Sequence, residues 1–331
     1  MSRLSIGKIR GLQQIANPDG IFTMCAMDHR GSLRSMIDED NPGEVGYEEM
    51  VERKLELCSA LAKYASAVLL DPIFGASQCI SHSILPNSIG LLVSIEASGY
   101  SGGEGQRLTR LLDEWSVEKI KRMGASAVKI LVYYRPDLKQ LSSQQLNTIS
   151  MVATECIKHD IPLLVEPKSY LNSNGNNSPL ESDVLQEQLV IQTARDITAL
   201  NIDVLKTEFP ADIRHKTDKS ELIELCRQLD ISSQVPWVIL SSGVDFEQFA
   251  QQVEIASQAG ASGFLGGRAI WQEAMHIDNA VERAHYLSTV GADRLRRLAE
   301  IANNYAVPWY KKLGISTHEL TQTSEGWYKE Y

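Results

Sequence analysis

The chain has few of the residues that staple or metallate a fold. Its 331 residues include five cysteines, Cys25, Cys58, Cys79, Cys156 and Cys226, an odd number with no CxxC among them. A disulfide framework is therefore not expected, and a reducing cytosol fits best. The seven histidines are scattered without an HxH or HExxH, which argues against a tight His-based metal site. No apolar run approaches the roughly 18 residues of a membrane span. The N-terminal stretch MSRLSIGKIRGLQQIANPDG lacks the apolar core of a signal peptide. There is no basic block. With 42 acidic and 32 basic residues the net charge is −10, so no nucleic-acid partner is expected. No GxGxxG follows the first apolar run, so the dinucleotide fingerprint is missing.

What is present is alternation. Short runs rich in Val, Ile and Leu read as strands at 21–28, 66–72, 90–96, 126–134, 161–167, 203–209, 236–243 and 262–268. Their mean spacing is about 34 residues, close to the ~30 or more of one βα unit. The runs are continuously apolar, as parallel strands covered on both faces should be. Helix-period segments lie between them. The segment 46–64 places Met50, Leu55, Leu57, Leu61 and Ala62 near one stripe. Segments 142–159 and 182–201 open on serines that suit N-caps, and 245–260 runs from Asp245 as cap to Gly260. YASAVLLD, GASAVKIL and GASGFLGG repeat one helix-to-strand junction three times.

Eight such units close most naturally into one (β/α)8 barrel. The barrel is expected over about 20–275 within a single domain 1–331, with 276–331 as a helical tail. An open doubly wound sheet is the second reading. The loops 97–107 and 169–179 follow strands 3 and 5, so both belong to the C-terminal face where barrel active sites lie. Each suits a lid or a plain surface loop. Trp327 and Tyr331 at the C-terminus suit a frayed end better than a cover for the barrel mouth.

The polar residues near strand ends carry the chemistry. Strand 1 ends in Asp28-His29-Arg30, strand 2 carries Asp71 and strand 3 ends in Glu96. Strand 4 carries Lys129, strand 5 Glu166, and strand 6 Lys206 with Glu208. A lysine inside AVKIL or VLKTEF is costly to bury, so it pairs with a carboxylate or loses its proton. A free lysine amine can attack a ketone and form a Schiff base. One strand lysine alone more often serves an ion pair. Two of them flanking Glu166 on adjacent strands supply an amine, a second cation and a proton carrier at one point. Ser241-Ser242-Gly243 after strand 7 and Gly266-Gly267-Arg268 after strand 8 stand where these barrels hold phosphate. Tight turns that merely need glycine are the plainer reading of each. Asp28 suits a substrate hydroxyl or a lysine, and His29 with Arg30 suits a second anion or a structural hydrogen bond.

These residues resemble the class I tagatose-1,6-bisphosphate aldolases. The carrying segments are AMDHRGSL (26–33), EWSVEKIKRMGASAVKILVYYRPD (114–137), LLVEPKSY (163–170), NIDVLKTEFP (201–210) and WVILSSGVDFEQF with AGASGFLGGRAIW (237–271). The resemblance implies that Lys206 is the Schiff-base lysine and Glu166 the acid/base. It implies that Lys129 is the neighbouring cation and that Asp28 contacts the substrate near the breaking bond. Ser241, Ser242, Gly243, Gly266, Gly267 and Arg268 would bind the C1 phosphate, with Arg30 and His29 toward the distal anion. Two positions depart from the family pattern: His29 stands where glutamine is common, and LSSGV replaces LSAGV. The strand 7–8 run is similar to a sister family, the 6-deoxy-6-sulfofructose-1-phosphate aldolases. Chain length and the DHRG motif suit the tagatose type.

The implied activity is cleavage of a phosphorylated sugar to dihydroxyacetone phosphate and an aldehyde, with no metal or other cofactor. The implied substrate is D-tagatose 1,6-bisphosphate, with fructose 1,6-bisphosphate beside it, giving glyceraldehyde 3-phosphate; the sister family implies 6-deoxy-6-sulfofructose 1-phosphate, giving sulfolactaldehyde. A non-catalytic barrel that senses a sugar phosphate is the reading of another class. No membrane partner is expected, and a homo-oligomer is the expected assembly.

Overall fold

The structure, a computed structural model, describes residues 4–103, 105–170, 179–323, 325–329 and 331. Eight parallel strands close into a barrel in chain order. They are β1 (Phe22–Ala26), β2 (Ala67–Leu70), β3 (Gly90–Ser94), β4 (Ala127–Tyr134), β5 (Leu163–Ser169), β6 (Val204–Thr207), β7 (Trp237–Ile239) and β8 (Gly263–Gly266). β1 closes the ring against β8 in the register Phe22↔Gly263. This is the (β/α)8 TIM barrel expected from the spacing. Among the described residues no helix is long and apolar enough to cross a membrane.

Each strand sends alternate side chains inward, as the pleat requires. Phe22, Met24, Ala26, Leu69, Leu92, Ala127, Leu164, Val204, Val238 and Leu265 form the interior. Their partners of opposite parity, such as Cys25, Val68, Val93, Val165 and Leu205, pack on the surrounding helices. The same inward parity runs upward from Ala26 to Asp28, from Ala127 to Lys129, from Leu164 to Glu166 and from Val204 to Lys206.

Several boundaries differ from the sequence reading. The ladder ends early: β1 stops at Ala26, β3 at Ser94 and β7 at Ile239. Asp28, Glu96 and Ser242 therefore stand on the loops above the barrel. The helix expected from Ser142 starts one turn earlier and spans Lys139–Lys158, so Ser142 lies inside it as a buried residue and caps nothing. Asp245 does cap Phe246–Gln258, accepting from the Gln248 N–H at 2.9 Å. A helix Ile6–Ile15 was not foreseen. It lays Leu12 and Ile15 under the barrel beside the buried Trp309 of the tail. Only the end of the tail plugs the bottom, with the Trp309 backbone N–H bonded to the Gly20 carbonyl at 3.0 Å, while the tail helix Ala292–Tyr305 packs in the outer ring against the helix Phe246–Gln258 and β1. Tyr331 bonds Asp160 just ahead of β5, away from the mouth. The loop 169–179 falls largely outside the described residues.

Candidate active site

A pocket of about 530 Å³ opens at the C-terminal ends of the strands. Asp28, His29, Arg30, Glu96, Lys129, Glu166, Lys206, Glu208, Ser242 and Arg268 all line it. Leu164 of β5 pairs with Val204 of β6, so this register carries Glu166 alongside Lys206.

The two lysines have different surroundings. The Lys129 ammonium contacts Asp28 at 2.8 Å, Glu96 at 2.7 Å and Glu166 at 3.1 Å. It hydrogen-bonds Asp28 and Glu96 and forms an ion pair with Glu166, so three carboxylates surround its charge. Burial opposes its charge, but Asp28, Glu166 and Glu96 outweigh burial and hold it well above the usual lysine range. Lys206, also buried, contacts Glu166 at 2.9 Å, the oxygen that Lys129 already shares. Burial pushes Glu166 up, but Lys129 and Lys206 pull it down to about 2. Asp28 is likewise drawn well below the carboxylate range against burial, by Lys129, Lys206 and His29. Glu166 therefore stands between the two lysines as a carboxylate facing the pocket.

Around this network stand groups with spare bonding capacity. Arg30 donates from Nη2 to the Glu96 carbonyl at 2.9 Å. Its Nη1, the His29 Nδ1, Glu96 Oε2 and Glu208 Oε2 are buried without a hydrogen-bond partner among the described residues. Burial pushes the His29 imidazole down to about 3, helped by Lys54, Arg268 and Lys206 and opposed by Asp28. His29 is therefore a neutral ring at neutral pH, edge-on to Trp271 at 5.1 Å. Burial also raises Glu208, despite Lys168 and the Ser242 hydroxyl donating at 3.3 Å.

The phosphate candidates divide. Ser242 and Arg268 line the pocket, while Ser241, Gly243, Gly266 and Gly267 lie outside its lining. A Cβ on Gly243 would stand 3.7 Å from the Arg268 guanidinium, so the two turns meet over that arginine. Gly266 faces the helix layer, where a Cβ would come within 2.7 Å of Phe249. At Gly267 a Cβ would meet His29 at 2.9 Å. Close packing accounts for both of these glycines.

Tyr133 and Lys168, which also line the pocket, went unremarked in the sequence, while Glu96 and Glu208 were noted without a role. All four continue the inward parity of their strands, which is the signal that could have found them. The loop after β3 folds back through paired bridges, Glu96↔Leu111 and Ser101↔Leu108, and lays Ala97, Ser98 and Gly99 along the pocket.

Residues 22–273 match the family model described as DeoC/LacD family aldolase. The chain belongs to the DeoC/LacD aldolase family. It is an aldehyde-lyase by that membership. Curated relatives of this family member include the tagatose 1,6-diphosphate aldolases of Staphylococcus aureus strains RF122 and JH9. Each is 29% identical over 322 residues, covering 92% of this chain and 98% of the relative. Among solved structures, an archaeal fructose 1,6-bisphosphate aldolase aligns with TM-score 0.57 and 19% identity, over 89% of this chain and 99% of that one. The fructose-bisphosphate aldolase of Plasmodium falciparum aligns with TM-score 0.70 and 15% identity, over 92% and 97%. At such identities these two likenesses speak to the shared barrel.

Proposed function

We propose that the chain is a class I aldolase that cleaves D-tagatose 1,6-bisphosphate to dihydroxyacetone phosphate and glyceraldehyde 3-phosphate, with Lys206 as nucleophile. One observation carries the choice of lysine. Lys129 hydrogen-bonds Asp28 and Glu96 and also lies against Glu166, whereas Lys206 has the one carboxylate contact, Glu166, among the described residues. An ammonium held by three carboxylates keeps its proton and does not attack. Lys206 is the lysine proposed to react, its proton relayed by Glu166 to the substrate oxygen as the C–N bond forms.

The amine attacks C2 of the ketose. Glu166 returns a proton to the carbinolamine hydroxyl, water leaves, and the iminium forms. The C3–C4 pair of electrons flows into the iminium while a carboxylate of the pocket takes the C4 hydroxyl proton, and the aldehyde departs. Protonation of the enamine at C3 and hydrolysis release dihydroxyacetone phosphate and restore Lys206. Lys129 stays charged and holds substrate oxygens, and Asp28 lies beside it on the reacting side. Ser242 and Arg268 suit the C1 phosphate, and the spare Nη1 of Arg30 suits the distal anion. The iminium does the work a Lewis-acid metal does in other aldolases, so full activity is expected in EDTA.

Borohydride reduction with dihydroxyacetone phosphate, followed by peptide mapping, tests the mechanism. A stable adduct on Lys206 is expected; an adduct on Lys129 or none at all refutes the assignment. Comparing kcat/KM for the tagatose, fructose and 6-sulfonate substrates tests the specificity. A sulfonate preference of about tenfold, ~1.4 kcal/mol, reassigns the substrate.

A further inference from the structure

Among the described residues, the most completely buried cation lies outside the pocket. Lys54 sits on the helix Tyr47–Leu61, between β1 and β2 in the chain, and it and Asp71 are both 0% exposed. Its ammonium reaches three oxygens. It contacts Asp71 at 3.0 Å, donates to the His29 carbonyl at 2.6 Å, and donates to the Met27 carbonyl.

Those two carbonyls flank Asp28. The β1–β2 ladder ends where the Met27 N–H meets the Leu69 carbonyl at 2.8 Å. Beyond that point no strand neighbour supplies donors, yet Asp28 must be held against Lys129 at 2.8 Å. Buried carbonyls without donors are costly. Lys54 supplies the donors. Because the carbonyls belong to residues 27 and 29, the torsions of Asp28 and His29 between them are both constrained. Below them, the Trp271 indole N–H bonds the Ala26 carbonyl at 3.0 Å. Asp71 in turn is fixed by the backbone N–H groups of Ile73 at 2.9 Å and Phe74 at 2.8 Å. The chain of support runs from the β2 turn through Asp71 and Lys54 to the backbone of Asp28.

We propose that Lys54 is a positioning residue for the aldol cleavage, acting on the substrate through the backbone of Asp28. It touches no substrate itself. The inference rests on the aldolase reading above, in which Asp28 lies at the C3–C4 bond.

The test must separate positioning from simple stability. Lys54→Met alone leaves Asp71 charged and buried without its cation, so a lowered Tm is expected and is uninformative by itself. The informative variant is Lys54→Met with Asp71→Asn. It removes both charges and keeps an oxygen for Ile73 and Phe74. Its Tm should return toward wild type. Its kcat/KM for tagatose 1,6-bisphosphate cleavage should stay reduced by about tenfold or more, the scale expected when a reacting group is misplaced. Enamine formation from dihydroxyacetone phosphate, followed by exchange at C3, should fall by less, because that half-reaction has no C4 hydroxyl. A double variant that regains both stability and cleavage overturns the proposal. So does an equal loss in cleavage and exchange, which places the damage across the whole site. If the double variant does not fold, Lys54→Arg carries the same comparison: cleavage falling more than exchange supports positioning, and equal rates or equal losses refute it. Failure of wild type to give a Lys206 adduct would instead overturn the aldolase reading.

Discussion

Buried lysines meet carboxylates at both ends of this barrel, and the two ends are built differently. At the N-terminal end, Lys8 contacts Asp203 with 3.0 and 2.8 Å bonds to its two oxygens. Asp203 also accepts the Leu163 N–H at 2.8 Å. In that pair each charge has its own partner. At the C-terminal end, three carboxylates serve two lysines, one oxygen of Glu166 is contested, and Arg30, His29, Glu96 and Glu208 each keep an atom unsatisfied. Burial of a charge alone does not mark a site. Sharing and surplus do, because a closed pair has nothing left to offer a ligand, whereas groups with unmet bonding capacity can take one up.

The comparison breaks most sharply at the nucleophile. Lys206→Met is expected to lower turnover by about 10⁴-fold or more and to abolish the borohydride adduct. A variant that retains turnover would make the mouth no different from the bottom. Glu166→Gln keeps the shape but carries no proton. A loss of about 10²–10⁴-fold in kcat is expected, measured by coupled assay of dihydroxyacetone phosphate. At the other end, Lys8→Met leaves Asp203 buried and unpaired. Urea unfolding should show a loss of about 3–5 kcal/mol, with kcat/KM of the folded enzyme intact.

A smaller effect concerns pH. The unfolded chain protonates His29 near 6.5, and the folded chain only near 3. The unfolded state therefore binds more protons between those values, and stability falls as pH drops through that window. His29→Asn should flatten that part of the curve by up to a few kcal/mol, read as Tm against pH. An unchanged slope would show that His29 ionises in the folded state. The smallest effect should come from Lys8→Met with Asp203→Asn. Removing both charges together is expected to change stability by about 1 kcal/mol or less. A large loss there would mean the bottom pair is more than a closed contact.

Much of the mouth was legible because charge interrupts apolar runs. Lys129 in AVKIL, Glu166 in LLVEP and Lys206 in VLKTE stand out for that reason. Lys54 does not. In ERKLELC it reads as one more helix-surface charge, and only the tertiary structure buries it against the Met27 and His29 carbonyls and Asp71. The adjacent serines at 241 and 242 were likewise indistinguishable until the turn after β7 aimed Ser242 at the pocket. Gly266 and Gly267 looked alike in sequence, yet one faces Phe249 and the other His29. Helix starts were misplaced where serine suited a cap but an earlier turn could also form, as at Lys139–Lys158.

The sequence by itself determined the eightfold repeat, the barrel class and the central trio of Lys129, Glu166 and Lys206. Hydrophobic period and the cost of burying charge are local properties, and they can be read along a chain. The tertiary structure alone decided which lysine is surrounded by three carboxylates, that Glu96 is one of them, and that Lys54 braces Asp28 from behind. Those outcomes depend on the distances between strands far apart in sequence, which barrel closure sets and no local pattern contains.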